Sequence, residues 1–233
     1  MVERRSENEK KYRKELASTI WKGRKEDRES PVQFAYASYN SKRDLVCYMH
    51  DFGNLLELAR GIMRRQKGKP IRILDLGCGA GIAAIELRKL LHDEGINAEV
   101  EGLTLTNIPS QRYGNAKNHL DYLHIGTIDS LVKKNKQYDL ILSRSGAAQY
   151  GEAELGTDSF YTKINKILKK KGHFLVCGGQ APVGGFGDWW IRKKRSIWPF
   201  GRKDEFVTKD LSKLIKKYPP EKKYKEQYKV SGG

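Results

Sequence analysis

The stretch best suited to chemistry is ILDLGCGAG at residues 73–81, which places three glycines and a carboxylate directly after an apolar run. An amphipathic segment follows it, so the pattern predicts a turn between a strand and a helix. Glycines in such a turn let the backbone come close to a ligand. A dinucleotide fingerprint, G-x-G-x-x-G or A, needs a small residue where Ile82 stands, so that fingerprint fails. The spacing that remains is D-x-G-x-G-x-G, from Asp75 to Gly81.

This spacing resembles motif I of the class I S-adenosylmethionine-dependent methyltransferases. Two later stretches carry the same resemblance: QYDLILS at residues 137–143 is similar to the family's fourth strand, and INKILKKKGHFLVCGG at 164–179 is similar to its last helix, turn and fifth strand. The resemblance covers residues 71–179. It implies an α/β fold with a Rossmann-like, doubly wound, mainly parallel sheet, and S-adenosylmethionine as the cofactor.

The resemblance also implies which residues hold that cofactor. The carboxylate of Asp75 would lie beside the methionyl amine, and the glycines would let the backbone approach the adenosyl and methionyl parts. Positions at the ends of the second, third and fourth strands complete the set. The implied cofactor-binding residues are Asp75, Gly77, Cys78, Gly79, Gly81, Thr104, Leu105, Thr127, Ile128, Ser143 and Arg144.

Two positions depart from the usual family pattern. Most members end the second strand with a carboxylate that binds the ribose, whereas this chain has Thr104 there and Glu101 three residues earlier. The stretch GLTLT at 102–106 is similar to a subgroup that includes cyclopropane-fatty-acid synthases and tocopherol methyltransferases. After the third strand, Thr127 replaces a common aspartate, and Asp129 lies two residues on. These departures motivate one alternative, a methyltransferase-like fold that binds or scaffolds without catalysis.

The segment after the fourth strand bears on the acceptor. SRSGAAQY at residues 143–150 lacks the (D/N/S)-P-P-(Y/F/W) pattern of enzymes that methylate base amino groups, so a small-molecule or lipid-like acceptor is favoured. Arg144 either meets a cofactor or substrate carboxylate or forms a surface salt bridge. No catalytic base is singled out among the five histidines. The candidate substrate contacts are Tyr36, Tyr39, Tyr150, Trp189 and Trp190.

The elements that must position these residues follow a βαβ rhythm from Ile71 onward, with five strand candidates and crossover helices. One helix is predicted from its cap Asp44 to about residue 66, because apolar residues recur there at spacings of three and four. Three parts of a single domain are expected: a basic helical extension and cap at 1–69, a cofactor-binding core at 70–180, and a Trp-rich basic lid with a C-terminal helix and strand at 181–233. The last strand is predicted at residues 223–230.

Composition adds limits on location and partners. No apolar run approaches the roughly 18 residues that a spanning helix needs, which predicts a soluble, cytoplasmic protein. Three separated cysteines without a C-x-x-C pair predict reduced thiols and no metal site. Lys and Arg outnumber Asp and Glu by 17 to 10 in residues 1–69 and by 14 to 5 in residues 192–233. In residues 70–191 the numbers are nearly equal, 14 to 13. These basic flanks indicate either a solvated surface or contact with an anionic membrane or nucleic acid, and an RNA or other nucleic-acid methyltransferase is the second alternative.

Overall fold

The computed structural model describes residues 44–66, 69–105, 109–110, 112–144, 148, 151, 155–180, 186–198 and 201–230. For residues 178–180, 186–198, 201–210 and 230 it describes the backbone and not the side chains. Residues 1–43 of the basic helical extension expected at 1–69 lie outside this range.

Seven strands form one sheet in the order β3-β2-β1-β4-β5-β6-β7. The strands are β1 (Ile71–Leu76), β2 (Ala98–Thr104), β3 (Tyr122–Ile125), β4 (Tyr138–Arg144), β5 (Leu168–Gln180), β6 (Phe186–Trp198) and β7 (Gly201–Asp210). Strands β1 to β5 are parallel, whereas β6 is antiparallel to both β5 and β7. The expected Rossmann-like, mainly parallel α/β sheet is therefore confirmed. Strand order reverses between β1 and β4, which is where such sheets open a ligand crevice.

Helices cover both faces of the sheet. They are α1 (Leu45–Phe52), α2 (Leu55–Arg65), α3 (Ile82–Asp93), α4 (Ile128–Lys133), α5 (Thr157–Ile167), α6 (Leu211–Lys217) and α7 (Lys222–Val230). One apolar cluster joins α1, α2, α3, α6 and α7 to the sheet, and a second joins α4 and α5 to its other face. Burial on both faces explains why the strands read as continuous apolar runs. None of the described helices is long and apolar enough to cross a membrane.

The helix expected from Asp44 is two helices. Asp44 caps α1 as predicted, because its side chain accepts a hydrogen bond from the Cys47 N–H at 3.0 Å. Gly53 then ends α1 with a φ of 80°, and a Cβ at this position would lie 2.5 Å from the Tyr218 carbonyl oxygen. Asn54 starts α2 by capping the Glu57 N–H. The continuous apolar spacing did not reveal this break, because both helices bury the same face.

The C-terminal strand expected at residues 223–230 is wrong, since this stretch is α7. Tyr224 and Tyr228 lie four residues apart on one helical side, where Tyr224 is buried and Tyr228 stacks on His50. The two antiparallel strands are instead β6 and β7. Strand β6 contains the Trp-rich segment, in which Trp189 pairs with Val176 through the backbone. The backbone of this segment thus extends the sheet, and its role as a lid stays a prediction.

Candidate active site

The glycine-rich turn lies between β1 and α3 and adopts a backbone that suits glycine. Gly77, Gly79 and Gly81 have φ angles of 86°, 57° and 79°. The N–H groups of Gly77 and Cys78 both donate to the Leu103 carbonyl, at 2.9 and 3.0 Å, which folds the turn against the end of β2. A Cβ at Gly81 would lie 2.7 Å from the Ala116 Cβ. The turn is therefore a close-packed backbone cradle that side chains would fill.

Helix α3 begins directly after this cradle without a side-chain cap. Its N-cap residue, Gly81, has a left-handed backbone and no side chain that could accept the first helical N–H groups. The N-terminus of a helix carries a partial positive charge and unsatisfied donors, which favour a negatively charged ligand group. The cradle and the helix end together suit a ligand with a carboxylate and polar edges.

Asp75 is the second-to-last residue of β1, beside the cradle, and a side chain of α1 contacts it. The Tyr48 hydroxyl donates a hydrogen bond to Asp75 Oδ1 at 2.8 Å. Both residues are buried, Tyr48 at 1% and Asp75 at 2% exposure. A charge-assisted bond between two buried groups fixes the direction of the carboxylate.

Arg144 closes β4 and makes the matching contact with the same helix. Its Nε donates to Asp51 Oδ2 at 2.5 Å, and the two side chains are 15% and 11% exposed. Burial alone would lower the pKa of Arg144, but the hydrogen bond and charge of Asp51 raise it overall. Arg144 therefore takes part in a partly buried salt bridge, and its contact with a cofactor or substrate stays a prediction.

Helix α1 therefore spans the point where strand order reverses. Tyr48 and Asp51 are three residues apart and lie on one side of the helix. One reaches the end of β1 and the other the end of β4. The helix forms a roof over the crevice between these two strand ends.

Further contacts fasten this roof to the rest of the fold. The Leu45 N–H donates to Glu86 on α3 at 2.8 Å. The ring of His50 stacks on Tyr228 of α7, with 3.7 Å between ring centroids. The Asn54 N–H donates to the Tyr218 carbonyl at 2.7 Å. The C-terminal helices thus hold the roof in place.

The remaining predicted cofactor residues also lie at this carboxyl edge. Thr104, the last residue of β2, is 4% exposed, and its carbonyl accepts from the Gly126 N–H at 2.8 Å. Leu105 follows it and is 39% exposed. Ser143 is buried near the end of β4, where its hydroxyl accepts from the Ala148 N–H at 3.1 Å. The fold brings these positions to one edge, and their contact with a cofactor stays a prediction.

The described residues just after β3, where the family resemblance places the adenine of the cofactor, offer few polar side chains for a ligand. Thr127 is the exposed N-cap of α4, where its side chain caps no N–H, and Ile128 behind it is buried. Asp129 pairs with Lys163 at 2.7 Å, so this carboxylate already has a cationic partner. Cys78 is 5% exposed, and a Cβ at Gly102 would lie 2.7 Å from its Sγ.

The expected substrate contacts fall outside what side-chain geometry describes. Tyr36, Tyr39 and Tyr150 lie outside the described residues. Trp189 and Trp190 lie in β6, where the backbone alone is described. These contacts stay predictions.

Sequence reasoning missed Tyr48 and Asp51. The available signal was two polar-ended side chains, three residues apart, in a segment interpreted only as an apolar stripe. Their partners are 27 and 93 residues away along the chain, so no local pattern could name them.

A second polar cluster lies away from this crevice, around Glu101 in the middle of β2. His124 Nε2 lies 2.6 Å from Glu101 Oε2. Tyr138 donates to the same oxygen at 2.7 Å, while Arg72 and Lys136 donate to Oε1 at 2.7 and 3.2 Å. Burial would raise the pKa of Glu101, but these four partners lower it far below its usual range. Glu101 is fully engaged here and does not replace the missing ribose carboxylate.

Comparisons with known proteins fit this architecture. Residues 67–215 match the model of a family described as "Methyltransferase domain", which is more than half of the chain. Comparison with curated proteins gives no match.

Similar solved structures include two methyltransferases and one polyketide synthase domain. The sugar N-methyltransferase KedS8 from Streptoalloteichus sp ATCC 53650 is 15% identical over 76% of this chain and 78% of its own, with a TM-score of 0.41. CalS10 from Micromonospora echinaspora, an amino pentose methyltransferase solved with S-adenosylmethionine, is 15% identical over 76% and 82%, with a TM-score of 0.39. The CMeT domain of the citrinin polyketide synthase is 21% identical, with a TM-score of 0.34. The match covers 50% of this chain and 31% of the solved chain.

The glycine-rich turn and the strand order agree with the matched family, and this chain belongs to the methyltransferase domain family.

Proposed function

We propose that the protein transfers a methyl group from S-adenosylmethionine to a small-molecule or lipid-like acceptor in the crevice between the ends of β1 and β4. The observation that carries the proposal is the α1 roof, which reaches Asp75 through Tyr48 and Arg144 through Asp51. A crevice covered in this way suits a compact acceptor better than a duplex or a folded macromolecule. It also excludes water, which methyl transfer requires.

The residues at the cradle fit the cofactor. Asp75 offers a buried carboxylate to the methionyl ammonium, and the uncapped start of α3 offers N–H groups to a carboxylate. Gly77 and Gly79 have positive φ angles and no side chain, so their backbone groups are available for close contact. The bound cofactor supplies a methyl group already activated by its sulfonium. The chain's task is then to align the acceptor and to keep the site dry.

His50 is the described histidine that contacts the polar pair between α1 and the end of β4, so we propose that it accepts a proton from a hydroxyl or ammonium acceptor. Its Nδ1 lies 2.9 Å from Asp51 Oδ1, which connects it to the Arg144 contact at the end of β4. The other four histidines are elsewhere: His124 meets Glu101, His173 meets Arg65, His119 lies by Tyr113, and His92 is 87% exposed. We assign His50 the role of general base where the acceptor carries a proton at the attacking atom.

A nucleic-acid acceptor is the second candidate drawn from the sequence. The basic flanks that motivate it lie largely in residues 1–43, outside the described range, and in 192–210, where the backbone alone is described. The small-molecule acceptor therefore has the better support. The free cysteines Cys47, Cys78 and Cys177 support a reducing, cytoplasmic location as part of the proposal.

Calorimetric titration of S-adenosylmethionine and S-adenosylhomocysteine tests the cofactor site first. We expect a Kd on the order of micromolar for the wild type and a loss of at least about 100-fold in Gly79→Arg, because the new side chain fills the cradle. Gly95→Arg is the matched control: Gly95 also has a positive φ, 66°, but an added Cβ there meets nothing within 4 Å. Equal loss in both variants, or no binding by a folded wild type, would refute the proposal.

With binding established, acceptors are screened by release of S-adenosylhomocysteine, lipids and sugars before RNA. For an acceptor that must lose a proton, we expect His50→Gln to lower kcat about 100-fold, the usual size of general-base catalysis, with KM for the cofactor unchanged. His92→Gln, at an exposed position, is the control. Unchanged kcat in His50→Gln would remove His50 from the mechanism and leave the methyltransferase proposal standing.

A further inference from the structure

The amino ends of β3, β4 and β5 carry a surface with many unpaired cations, which we name the lysine edge. It consists of Tyr122 and the exposed lysines Lys133, Lys134, Lys166, Lys170 and Lys171. Lys133 is the last residue of α4 and Lys134 is its C-cap, while Lys166 lies in the last turn of α5 just before β5. Within the described part of the chain, none of these five lysines makes an ion pair. The edge is therefore free to meet an external anion.

A bulge in β5 pushes two of these lysines outward. Tyr138 pairs with Leu168, but Leu140 already pairs with His173, so residues 169–172 stand opposite a single residue of β4. Lys169 is anchored by Asp139 at 2.7 Å, whereas Lys170 and Lys171 are exposed. Lys171 has a φ of 64°, a conformation that favours glycine. The fold thus keeps a cation at a position where glycine would be easier.

A cavity of about 320 Å³ opens beside these lysines. Its lining is mostly polar, with three amide side chains and one ammonium: Asn135, Gln137, Asn165 and Lys166, together with Val132. Amide side chains present both donors and acceptors, which is the chemistry that recognises the edge of a nucleobase.

An exposed aromatic ring completes the surface. Tyr122, the first residue of β3, is 48% exposed. The ammonium groups of Lys134 and Lys136 lie 5.6 and 5.5 Å from its ring centroid. Aromatic rings among cations are the platforms on which proteins stack unpaired bases.

We infer that the lysine edge binds a single-stranded segment of RNA or DNA. The lysines contact successive phosphates, Tyr122 stacks one base, and the amide-lined cavity receives the edge of another. A duplex would keep its bases stacked and out of the cavity. A membrane surface would favour several apolar side chains around the lysines. Of the described large hydrophobic residues that are exposed, Tyr122 lies on the lysine edge, whereas Leu105 and Ile125 lie at the opposite ends of β2 and β3.

This inference goes beyond the proposed function and does not depend on it. The cofactor cradle lies at the carboxyl ends of the same strands, about 20 Å away for a strand of six or seven residues. The lysine edge is a docking surface, so bound nucleic acid and bound cofactor do not compete.

Fluorescence anisotropy with labelled oligouridine of about 15 nucleotides tests the inference. The edge variant is Lys134→Glu/Lys166→Glu/Lys170→Glu. The matched control, Lys213→Glu/Lys216→Glu/Lys229→Glu, makes the same charge change on exposed lysines of α6 and α7. We expect at least about tenfold weaker binding for the edge variant and a salt slope smaller by about 2, because each lost phosphate contact removes about 0.7. The control should weaken binding no more than about threefold, since it lowers only the overall field.

A single uncharged change separates stacking from charge. Tyr122→Leu should weaken oligouridine binding about tenfold, and Tyr122→Phe should retain it, with melting temperatures unchanged because the ring is exposed. Equal weakening by the edge variant and its control would overturn the inference, since net charge would explain the binding. It is equally overturned if Tyr122→Leu binds like the wild type, if oligouridine does not bind, or if phosphatidylserine vesicles bind in its place.

Discussion

At the carboxyl end of the sheet, polar side chains form single hydrogen-bonded pairs beneath a helix. Nearer the amino end, one buried carboxylate has four partners, and the neighbouring surface is exposed to solvent. Tyr48 meets Asp75 and Asp51 meets Arg144 under α1. Glu101 instead binds Arg72, His124, Lys136 and Tyr138. The same parallel strands end in both places, so strand geometry alone does not set the chemistry.

The difference lies in what covers each end. The carboxyl end has a glycine-rich turn with positive φ angles, and α1 covers it through single side-chain pairs. At the cluster near the amino end, Glu101 is buried among its own partners, and the exposed groups around it include Tyr122 and several lysines. Function is therefore expected inside the first region and on the surface of the second.

Replacing Glu101 should have the largest effect on stability. Glu101→Leu leaves the buried donors of Arg72 and Tyr138 without their acceptor and should lower the free energy of unfolding by about 3–5 kcal/mol. Glu99→Leu is the control, because Glu99 also meets Arg72 but its side chain is 48% exposed, and it should cost less than about 1 kcal/mol. Urea unfolding followed by circular dichroism measures both. Similar losses in the two variants would show that the buried cluster is no stronger than a surface pair.

Acid should weaken the same cluster. The pKa of Glu101 is lower in the folded protein than the ordinary value of 4.5, so its stabilisation is complete above that pH and is lost as the pH falls below it. One proton taken up on unfolding lowers the free energy of unfolding by about 1.4 kcal/mol per pH unit, or about 2 kcal/mol between pH 4.5 and 3. Glu101→Gln should flatten this slope by that amount, and Glu99→Gln should not. A slope in Glu101→Gln equal to that of the wild type would contradict the assignment.

The smallest loss of stability is expected for a substitution at the predicted cofactor site. Tyr48→Phe removes one hydroxyl and should cost about 1 kcal/mol in unfolding free energy. It should also weaken S-adenosylmethionine binding about tenfold, because Asp75 loses the donor that orients it. Methylthioadenosine, which lacks the amino-acid part, should bind both proteins equally. The control is Tyr113→Phe, since the Tyr113 hydroxyl also donates to a carboxylate, Glu86, at 3.2 Å. If Tyr48→Phe also weakened the binding of methylthioadenosine, the effect would be a general loss of structure and not a loss of contact with the amino-acid part.

The number of charged residues along the chain did not reveal this difference between the two ends of the sheet. Residues 70–191 hold 14 Lys and Arg against 13 Asp and Glu, which reads as neutral. In the fold, carboxylates such as Glu101 and Asp139 are buried against their own cations, while Lys170 and Lys171 stand exposed on a bulge. A linear count cannot separate paired from unpaired charge.

The sequence by itself determined the parallel sheet and the glycine turn, because these depend on hydrophobic period and on backbone angles that only nearby residues set. The cofactor class followed from the resemblance of residues 73–81 to a methyltransferase motif. It also determined that Asp44 starts a helix, through a hydrogen bond spanning three residues. The break at Gly53 was decided by Tyr218, which approaches from the far end of the chain.

Only the tertiary structure decided what roofs the crevice and where Glu101 points. The contacts that fix them join residues between 23 and 93 positions apart, such as His124 with Glu101 and Arg144 with Asp51. The sequence alone does not show whether a carboxylate on a strand faces a ligand or four internal partners. The packing of neighbouring strands and helices chooses between these outcomes, because a buried charge persists only where the surrounding fold supplies its partners.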